Sequence, residues 1–412
     1  LRIGIDNNLS LEGKRKEIQK SKYGVSENRS KLLPQINAIA GYNNNFDPPV
    51  SVTDGSSYGV PYNITKTLQH SANAGLEMQM PLFNQTLYTS MSIAKVMEEI
   101  SRLSYGKARE DVILQISKMY YLGQVTAEQI MLIKANITRL EELRDITQAF
   151  FDNGMSMEVD LKRVNINLEN LKVQYDNAQA MMKQQLNMLK YIMDYPAEKE
   201  IALTPVNTDS ITTVALTGLS ENIYELQLSQ SQVQLAERQK KIITNGYIPS
   251  LSLTGSWRYA AYTDKGYHWF HSGPSNQWFR SYGVGLTLRI PIFDGLDKTY
   301  KIKKAMIDIE NKRLAWEDAR KNLQTQYLNA VNDLMNNQRN FKKQKDNYLL
   351  AEDVYAVTSD RYREGIASMT EVLQDEMQMS EAQNNYISAH YNYRVTNLML
   401  LKLTGQIETL VK

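Results

Sequence analysis

The decamer Gly285-Leu286-Thr287-Leu288-Arg289-Ile290-Pro291-Ile292-Phe293-Asp294 repeats a pattern that stands 210 residues earlier in the chain. The earlier copy is Gly75-Leu76-Glu77-Met78-Gln79-Met80-Pro81-Leu82-Phe83-Asn84, in which the apolar positions, the proline and the phenylalanine keep their places. In both copies apolar and polar residues alternate up to the proline, as in a β-strand with one apolar face. Both decamers therefore predict the second strand of a hairpin.

Three further matches indicate that the whole chain is an internal duplication. Leu33-Pro34-Gln35 returns as Ile248-Pro249-Ser250, 151–161 return as 362–372, and 189–192 return as 400–403. Matches in one order at nearly one spacing identify two copies. Each copy reads as a lead-in helix, a strand, a polar loop, a second strand, and two long helices joined by a tight turn.

The predicted strands combine an apolar face with a polar face. For a lone hairpin, a soluble sheet with one face on a core is a sufficient explanation. These segments are about ten residues long, however, which suits a tilted membrane strand, and aromatic residues gather at their ends as in an interfacial girdle. The aromatic residues are Tyr259, Tyr262, Tyr267, Trp269, Phe270, Trp278, Phe279 and Tyr282. The residues predicted to face lipid are Leu251, Leu253, Trp257, Val284, Leu286, Leu288 and Ile290.

Four strands are too few to close a barrel by themselves. Roughly eight strands are the smallest number that encloses a filled interior, and an open sheet edge cannot lie in lipid. Cyclic symmetry solves the closure with a single interface type. Three copies of the chain would supply twelve strands.

Long helices follow each predicted hairpin. No proline interrupts the chain between Asn84 and Phe150 or between Asp294 and Asp360. At 1.5 Å per residue each stretch would form a helix on the order of 100 Å long. Apolar residues recur every seven positions, for example at 302, 309, 316, 323 and 330, as in coiled coils. Gly106 and Gly123 interrupt the first long helix and are interpreted as local weak points.

The composition excludes several classes of function. Lys and Arg number 47 and Asp and Glu number 45, so the net charge of +2 gives no bulk attraction to nucleic acid. The absence of cysteine removes disulfides and thiolate chemistry. No apolar run reaches 18 residues, so membrane contact is expected to use strands. Because the sequence begins at Leu1 without a leader, we expect either a cytoplasmic protein or a chain shown without its export signal.

Four segments resemble the internal signatures of the TolC-like outer membrane efflux family. They are Leu33-Pro34-Gln35, Met80-Pro81-Leu82-Phe83-Asn84, Ile290-Pro291-Ile292-Phe293-Asp294-Gly295 and Tyr362-Arg363-Glu364-Gly365-Ile366-Ala367-Ser368. The resemblance covers nearly the whole chain and implies a mixed α and β membrane protein: a homotrimer with a 12-stranded outer-membrane β-barrel continued by a 12-helix periplasmic α-barrel. It implies a Gram-negative cell envelope, outer-membrane lipid, a periplasmic adaptor and an inner-membrane pump of RND or ABC type. It also implies no catalysis by this chain, and we expect no cofactor and no nucleic-acid partner.

The repeat and the resemblance together divide the chain into eight predicted segments. They are a lead-in helix at 1–32, a barrel hairpin at 33–83, a long helix pair at 84–195, an equatorial linker at 196–215, a second lead-in helix at 216–247, a second hairpin at 248–293, a second long helix pair at 294–406, and a tail at 407–412.

The resemblance places a gate and an adaptor-binding tip at the two turns between long helices. The tip residues are Gly154, Met155, Ser156, Gly365, Ile366, Ala367 and Ser368. Turn chemistry explains these residues equally well, because a glycine with positive φ reverses the chain between antiparallel helices.

Resemblance also implies a closing hydrogen bond between Asp152 and Tyr362 and an acidic constriction ring that includes Glu371. The second ring position is Gln374, and Asp375 follows it on a different face of the helix. Ala367 occupies the place of a basic residue that a well-studied member of the family uses in closure. Arg361 or Arg363 is expected to substitute for it.

Other sites and functions are weaker interpretations. A metal pair at His268 and His271 lacks further ligands, and His70 and His390 look isolated. The chain contains neither a phosphate-binding glycine loop nor a nucleophile motif, so we expect no enzyme. The alternative function is a soluble coiled-coil scaffold whose hairpins cap helix bundles. The leading hypothesis is a passive exit duct of a tripartite efflux or type I secretion system, gated at its periplasmic tip and opened by adaptor and pump. Within this duct hypothesis, drug efflux, metal efflux and protein secretion all remain open.

Overall fold

The computed structural model describes residues 1–54, 56–66, 68–205, 218–264 and 277–411. Its helices are α1 Arg2–Asn7, α2 Leu9–Ser30, α3 Gln85–Asp152, α4 Glu158–Ile192, α5 Tyr224–Asn245, α6 Asp297–Arg363 and α7 Met369–Leu403, with short 3₁₀ helices at Ser56–Tyr58 and Ile407–Val411. Its strands are β1 Gln35–Asn44, β2 Val50–Asp54, β3 Tyr62–Lys66, β4 His70–Phe83, β5 Ser250–Thr263 and β6 Trp278–Arg289. The predicted aromatic residues Tyr267, Trp269 and Phe270, the pair His268 and His271, and the second half of the predicted linker lie outside the described residues.

The chain folds into two compact units. The first comprises Leu1–Ile18, Ile100–Gln230 and Arg313–Lys412, and it is built from helices. The second comprises Gln19–Glu99 and Ser231–Lys312 and contains the strands. Among the described residues, each helix lacks the apolar stretch of 18 residues that spanning a bilayer would require.

The strand-containing unit is organised around a four-stranded antiparallel sheet in the order β1-β4-β5-β6. The central pair, β4 and β5, joins the two copies of the repeat. A second, two-stranded sheet pairs β2 with β3. The prediction of a polar loop here is wrong, because Val52 and Ile64 pair within a regular, exposed hairpin.

All four helix connections to the larger sheet lie at one of its ends. The helices α2 and α5 lead into β1 and β5, whereas β4 and β6 lead out into α3 and α6. The register places these strand ends together, since Gln35 pairs with Gln79, Ser250 with Arg289, and Phe83 with Leu251.

Two large apolar clusters hold the helical unit, beside a small one formed by Val125, Tyr386 and Ile387. One contains Ile113 and Ile116 of α3 together with Leu189 of α4 and Leu398 and Leu400 of α7. The other joins four helices around the turns. Its members include Leu140 and Leu143 of α3, Val164 and Leu168 of α4, Tyr355 and Tyr362 of α6, and Val372 and Met379 of α7. The helix α7 is buried on more of its circumference than α4, because it contacts both α3 and α6.

The two glycines inside α3 are places of close approach. A Cβ on Gly123 would stand 2.8 Å from Leu203 Cδ1, and one on Gly106 would overlap the ring of Tyr224. The segment around Leu203 is fastened beside this notch, because Gln124 Nε2 donates a 2.8 Å hydrogen bond to Thr204 O. The interpretation of these glycines as weak points is therefore wrong.

Candidate functional site: sheet faces and helix turns

The larger sheet has one continuous apolar face. Residues directly opposite each other on neighbouring strands lie on the same face. Ala38 lies opposite Leu76, Leu76 opposite Trp257, and Trp257 opposite Tyr282. Further rows are Ile36, Met78, Gly255, Val284; Met80, Leu253, Leu286; and Leu251, Leu288. All seven residues predicted to face lipid belong to this face or, for Ile290, directly follow it in alternation.

This apolar face is uncovered in the single chain. Val284 is 81% exposed, and Trp257, Leu286, Leu288 and Ile290 are also exposed, whereas Leu251 and Leu253 are half-buried. An exposed face of this size marks a surface that contacts another protein or a membrane.

The opposite face is polar and carries a cross-strand ion pair. Glu77 of β4 and Arg258 of β5 bond across the pleat. The backbones of β4 and β5 approach closely at Gly75, where a Cβ would stand 2.8 Å from Arg258 Cα. The outer strands β1 and β6 each pair on one side only within the described chain. The sheet is thus a two-faced element with two open edges.

The two turns between long helices have the same backbone. Gly154 and Gly365 have φ of +72° and +74°, in the left-handed region that favours glycine. Met155 N–H donates to Phe150 O, and Ile366 N–H donates to the equivalent carbonyl, each at 2.8 Å. At the tips Met155 and Ile366 are exposed, Ala367 and Ser156 are half-buried, and Ser368 is exposed. Both predicted tips therefore end in tight, glycine-dependent turns.

The predicted hydrogen bond between Asp152 and Tyr362 is not made within the chain. Tyr362 is buried, and its hydroxyl donates to Thr147 Oγ1 at 3.3 Å while its ring packs on Phe150 with centroids 5.7 Å apart. Asp152 lies at the exposed end of α3 and accepts a 2.8 Å hydrogen bond from Gln148 Nε2. Tyr362 packs against α3 more than one helical turn before the end of that helix. It therefore meets Thr147 instead of the terminal Asp152.

The other predicted gate residues have mixed surroundings. Arg363 reaches Glu142 of α3 at 3.5 Å and Asp360 at 3.4 Å. Arg361 is exposed, and Asp375 is half-buried. The Glu371 carboxylate accepts from Ser368 N–H at 3.1 Å, and Glu371 N–H donates to Ser368 Oγ at 3.3 Å. Glu371 therefore completes a capping box at the start of α7, a structural role that the resemblance did not indicate.

His390 is buried and is not isolated, contrary to the interpretation from sequence. Arg394 Nε donates to His390 Nε2 at 2.9 Å, which leaves the ring proton on Nδ1, 3.3 Å from Glu128 Oε2. Tyr386 donates to Glu128 Oε1 at 2.9 Å, and the Phe341 ring covers the imidazole. Burial tends to raise the pKa of Glu128, but the hydrogen bonds from His390 and Tyr386 outweigh it, and the pKa lies below its ordinary value. His70 also has a partner, because its Nδ1 lies 2.9 Å from Tyr42 Oη.

A second polar layer crosses the helices nearer the turns. Asn136 of α3 donates a 2.7 Å hydrogen bond to Gln383 of α7, and both side chains are buried. Arg139 of α3 donates to Asn136 and forms an ion pair with Glu352 of α6. Buried polar pairs of this kind fix the register between helices. Their signal in the sequence is the recurrence of polar residues at apolar heptad positions of α7.

One acid in this region has no such partner. Glu376 of α7 is only 4% exposed, and its Oε1 lacks a hydrogen-bond partner among the described residues. Burial raises the pKa of Glu376 to about 6. This carboxyl lies on the face of α7 that carries Val372, Leu373 and Met379 of the cluster around the turns.

Two helices carry exposed apolar rows on faces that have no partner in the described chain. In α4 the row is Val159, Ile166, Val173, Met181 and Met188, and in α6 it is Leu314, Leu328, Met335 and Leu349. Within each row the spacings are seven or fourteen residues except for one step of eight. That spacing is typical of a coiled-coil seam.

Comparison with known proteins identifies relatives of the whole chain. A family model described as outer membrane efflux protein matches residues 4–193 and 215–406. The two matches begin 211 residues apart, in agreement with the internal duplication. The outer membrane protein TolC of Vibrio cholerae serotype O1 is 21% identical over 93% of this chain and 84% of its own length. The toluene efflux pump outer membrane protein TtgC of Pseudomonas putida is 23% identical over 87% of this chain and 75% of its own length.

Solved structures share the fold. CusC superposes with a TM-score of 0.80 at 16% identity, covering 98% of this chain and 90% of its own. The outer membrane protein VceC of Vibrio cholerae superposes with a TM-score of 0.77 at 14% identity, covering 98% and 94%. The predicted mixed α and β fold, rich in helix, is thereby confirmed.

Proposed function

The chain belongs to the outer membrane efflux protein family, and from that premise we propose that it is the exit duct of a tripartite efflux or type I secretion system. The family consists of efflux channels of the Gram-negative outer membrane that extend into the periplasm, and it is not a family of enzymes. The soluble scaffold is accordingly set aside. The proposed duct is a passive homotrimeric channel, which an adaptor and an inner-membrane pump open at its periplasmic tip.

The two-faced sheet with its open edges is the observation that carries this proposal. Its apolar face suits lipid, and its polar face with Glu77 and Arg258 suits water. An open edge is excluded from lipid, so β6 of one copy would pair with β1 of the next until the ring closes. Three copies would place twelve strands in the wall.

The exposed rows on the helices support the same assembly. Val173, Met181 and Met188 of α4 would pack against Leu349 and Met335 of α6 in a neighbouring copy, because these positions lie at similar distances from the turns. Such a contact joins two different surfaces and therefore propagates around a ring. The buried row of each helix would hold the protomer while the exposed row holds the trimer.

We propose that the turns form the adaptor-binding tip and the gate. Exposed Met155 and Ile366 give each turn an apolar contact for the adaptor. In place of a bond between Asp152 and Tyr362, α6 contacts α3 beside the turns through Tyr362 to Thr147 and Arg363 to Glu142. Asp375, with the part of Glu371 that the cap leaves accessible, would line the constriction. The pump, of RND or ABC type, would determine the substrate.

Oligomeric state and conductance test this function together. Detergent-extracted protein should behave as a trimer by mass measurement and should give single-channel currents in a planar bilayer. A matched pair of variants probes the gate: Thr147→Val removes the Tyr362 contact, whereas Gln148→Ala removes only the contact of Asp152 within α3. We expect the first to raise the open fraction and the second to leave it unchanged. A monomer without conductance would contradict the duct.

A further inference from the structure

The sheet end that receives the four helices is strongly basic. Between Arg289 and Lys304 stand five basic and two acidic residues, although the whole chain has a net charge of only +2. Three more basic residues, Arg238, Lys240 and Lys241, lie in the last two turns of α5. We name the following residues the collar: Arg29, Lys31, Arg238, Lys240, Lys241, Arg289, Lys301, Lys303 and Lys304.

The parts of the collar are adjacent in the fold. Lys298 of α6 lies 4.9 Å from the ring centroid of Tyr247, which joins α5 to β5, and Tyr247 Oη lies 3.4 Å from Thr299 Oγ1. At 1.5 Å per residue, Lys241 stands about 6 Å from the strand-facing end of α5, and Lys304 stands about 10 Å inside α6. The cations thus form one shallow band beside the sheet end.

Two of the nine collar cations form exposed ion pairs with described residues, and one of these joins Lys31 to Glu27 at 3.3 Å. Lys301 pairs with Asp297 at 2.7 Å, in an exposed contact. Lys303 lies over the Tyr300 ring at 5.6 Å, and neither it nor Lys304 forms an ion pair with a described residue. The band therefore presents cations to whatever lies beside the sheet end.

Apolar side chains accompany these cations. Ile292 is 94% exposed and Phe293 is 80% exposed, in the connection between β6 and α6. A surface that combines exposed apolar residues with lysines is the kind that binds at a membrane interface, with the apolar groups near the acyl chains and the lysines at phosphate depth.

We propose that the collar binds anionic phospholipid headgroups in the periplasmic leaflet of the outer membrane. The inference rests on the proposal that the sheet spans this membrane, because the helix-bearing end then lies at the periplasmic boundary. Each lysine near an anionic surface adds to the attraction, which falls off within a Debye length of that surface. Because the Debye length shortens as salt rises, the contact should weaken with added salt. Bound lipid would fix the depth of the barrel.

The test uses detergent-solubilised full chain titrated with dioleoylphosphatidylglycerol and examined by native mass spectrometry. We expect preference over dioleoylphosphatidylcholine, and roughly tenfold weaker retention when Lys301, Lys303 and Lys304 are together replaced by Gln. The matched control replaces Lys342, Lys343 and Lys345 by Gln, which removes the same charge from α6 far along the chain. It should retain the lipid as the wild type does.

Several results would overturn the collar. Equal retention of the two lipids would indicate apolar fit alone, and displacement by millimolar inorganic phosphate would indicate an unspecific anion site. Loss of the trimer in the collar variant, without loss of lipid, would assign this surface to a second copy. Conductance recorded on the same samples separates the two proposals: absent currents with retained lipid would count against the duct only.

Discussion

The two helix-to-helix turns share a backbone and differ in what holds it. Gly154 and Gly365 adopt φ values two degrees apart, and the same hydrogen bonds close both turns. The helix after the second turn is preceded by Ser368, which forms a capping box, whereas the helix after the first is preceded by Met157, whose side chain makes no cap. Duplication has thus preserved the geometry that glycine permits, while the contacts that stabilise it have diverged.

The side chains before the two turns show the same asymmetry, because the one before the second turn is the better anchored. Tyr362 is 6% exposed and bonded to Thr147, whereas Phe151, its counterpart 211 residues earlier, is 38% exposed. The second turn is therefore anchored to α3, and the first is held by little beyond its own backbone. If the tip opens, the structure predicts that the anchored turn sets the energetic cost.

Removing the anchor should have the largest effect. Tyr362→Ala deletes a buried aromatic ring and should destabilise the region around the second turn by about 3 kcal/mol, whereas Phe151→Ala should cost less than about 1 kcal/mol. Amide hydrogen exchange of the residues flanking each turn measures both. Equal losses in the two variants would remove the asymmetry.

The next effect depends on pH and comes from Glu376. Its pKa of about 6 exceeds the ordinary 4.5, so the folded state binds the proton more tightly than the unfolded state. The resulting stabilisation is complete below pH 4.5 and is lost as pH rises to about 6, with a size of about 2 kcal/mol. Glu376→Gln should therefore flatten the dependence of α7 protection on pH between 4.5 and 6, measured by exchange corrected for intrinsic rates.

The first copy provides the control for this titration. The position equivalent to Glu376 is Asn165, which is exposed on α4. Asn165→Asp introduces a carboxyl in water, so it should leave the pH dependence of α4 protection unchanged. If Glu376→Gln also left the pH dependence of protection unchanged, the Glu376 carboxyl would have to ionise in its buried position without an energetic cost.

The caps offer a reciprocal exchange. Ser368→Ala should weaken the first turn of α7 by about 1 kcal/mol, because the capping oxygen for Glu371 N–H disappears. Met157→Ser should strengthen the first turn of α4 by a somewhat smaller amount, since Asp160 stands at the third helical position where Glu371 stands in α7. Exchange protection at 158–161 and 369–372 reports both changes. A change of the same sign in the exchange protection of both variants would contradict the capping argument.

These differences indicate which features a sequence can predict. The strands β5 and β6 lie where residues alternate, and the buried heptad row of Leu323 and Ala330 lies where the spacing places it, because both patterns are local. Family membership was likewise predictable, because its motifs are contiguous. Patterns with periods of two and seven residues can be recognised without knowledge of any residue far along the chain.

The missed features depend on partners far along the chain. Whether Tyr362 meets Thr147 or Asp152 depends on how α6 is positioned along the axis of α3. A heptad pattern does not specify this displacement. Gly106 and Gly123 look like defects until Tyr224 and Leu203 occupy the notches beside them. The sequence did not single out Glu376, and His390 looked isolated, because α7 is buried by helices on two sides and a simple amphipathic pattern is lost.

The smallest effect concerns the ion pair of Arg363 with Glu142, the remaining link between the second turn and α3. Both side chains are exposed, and exposed pairs contribute about 0.5 kcal/mol, so Arg363→Gln should raise the open fraction about twofold in single-channel recordings at low salt. At 1 M salt, where the Debye length falls to about 3 Å, the variant and the wild type should coincide. Asp152→Asn in the first turn breaks no contact with another helix and should change nothing at either salt concentration. A salt-independent effect of Arg363→Gln would mean that the guanidinium acts by packing, and an effect of Asp152→Asn would mean that the first turn is also anchored, across the boundary to a neighbouring copy.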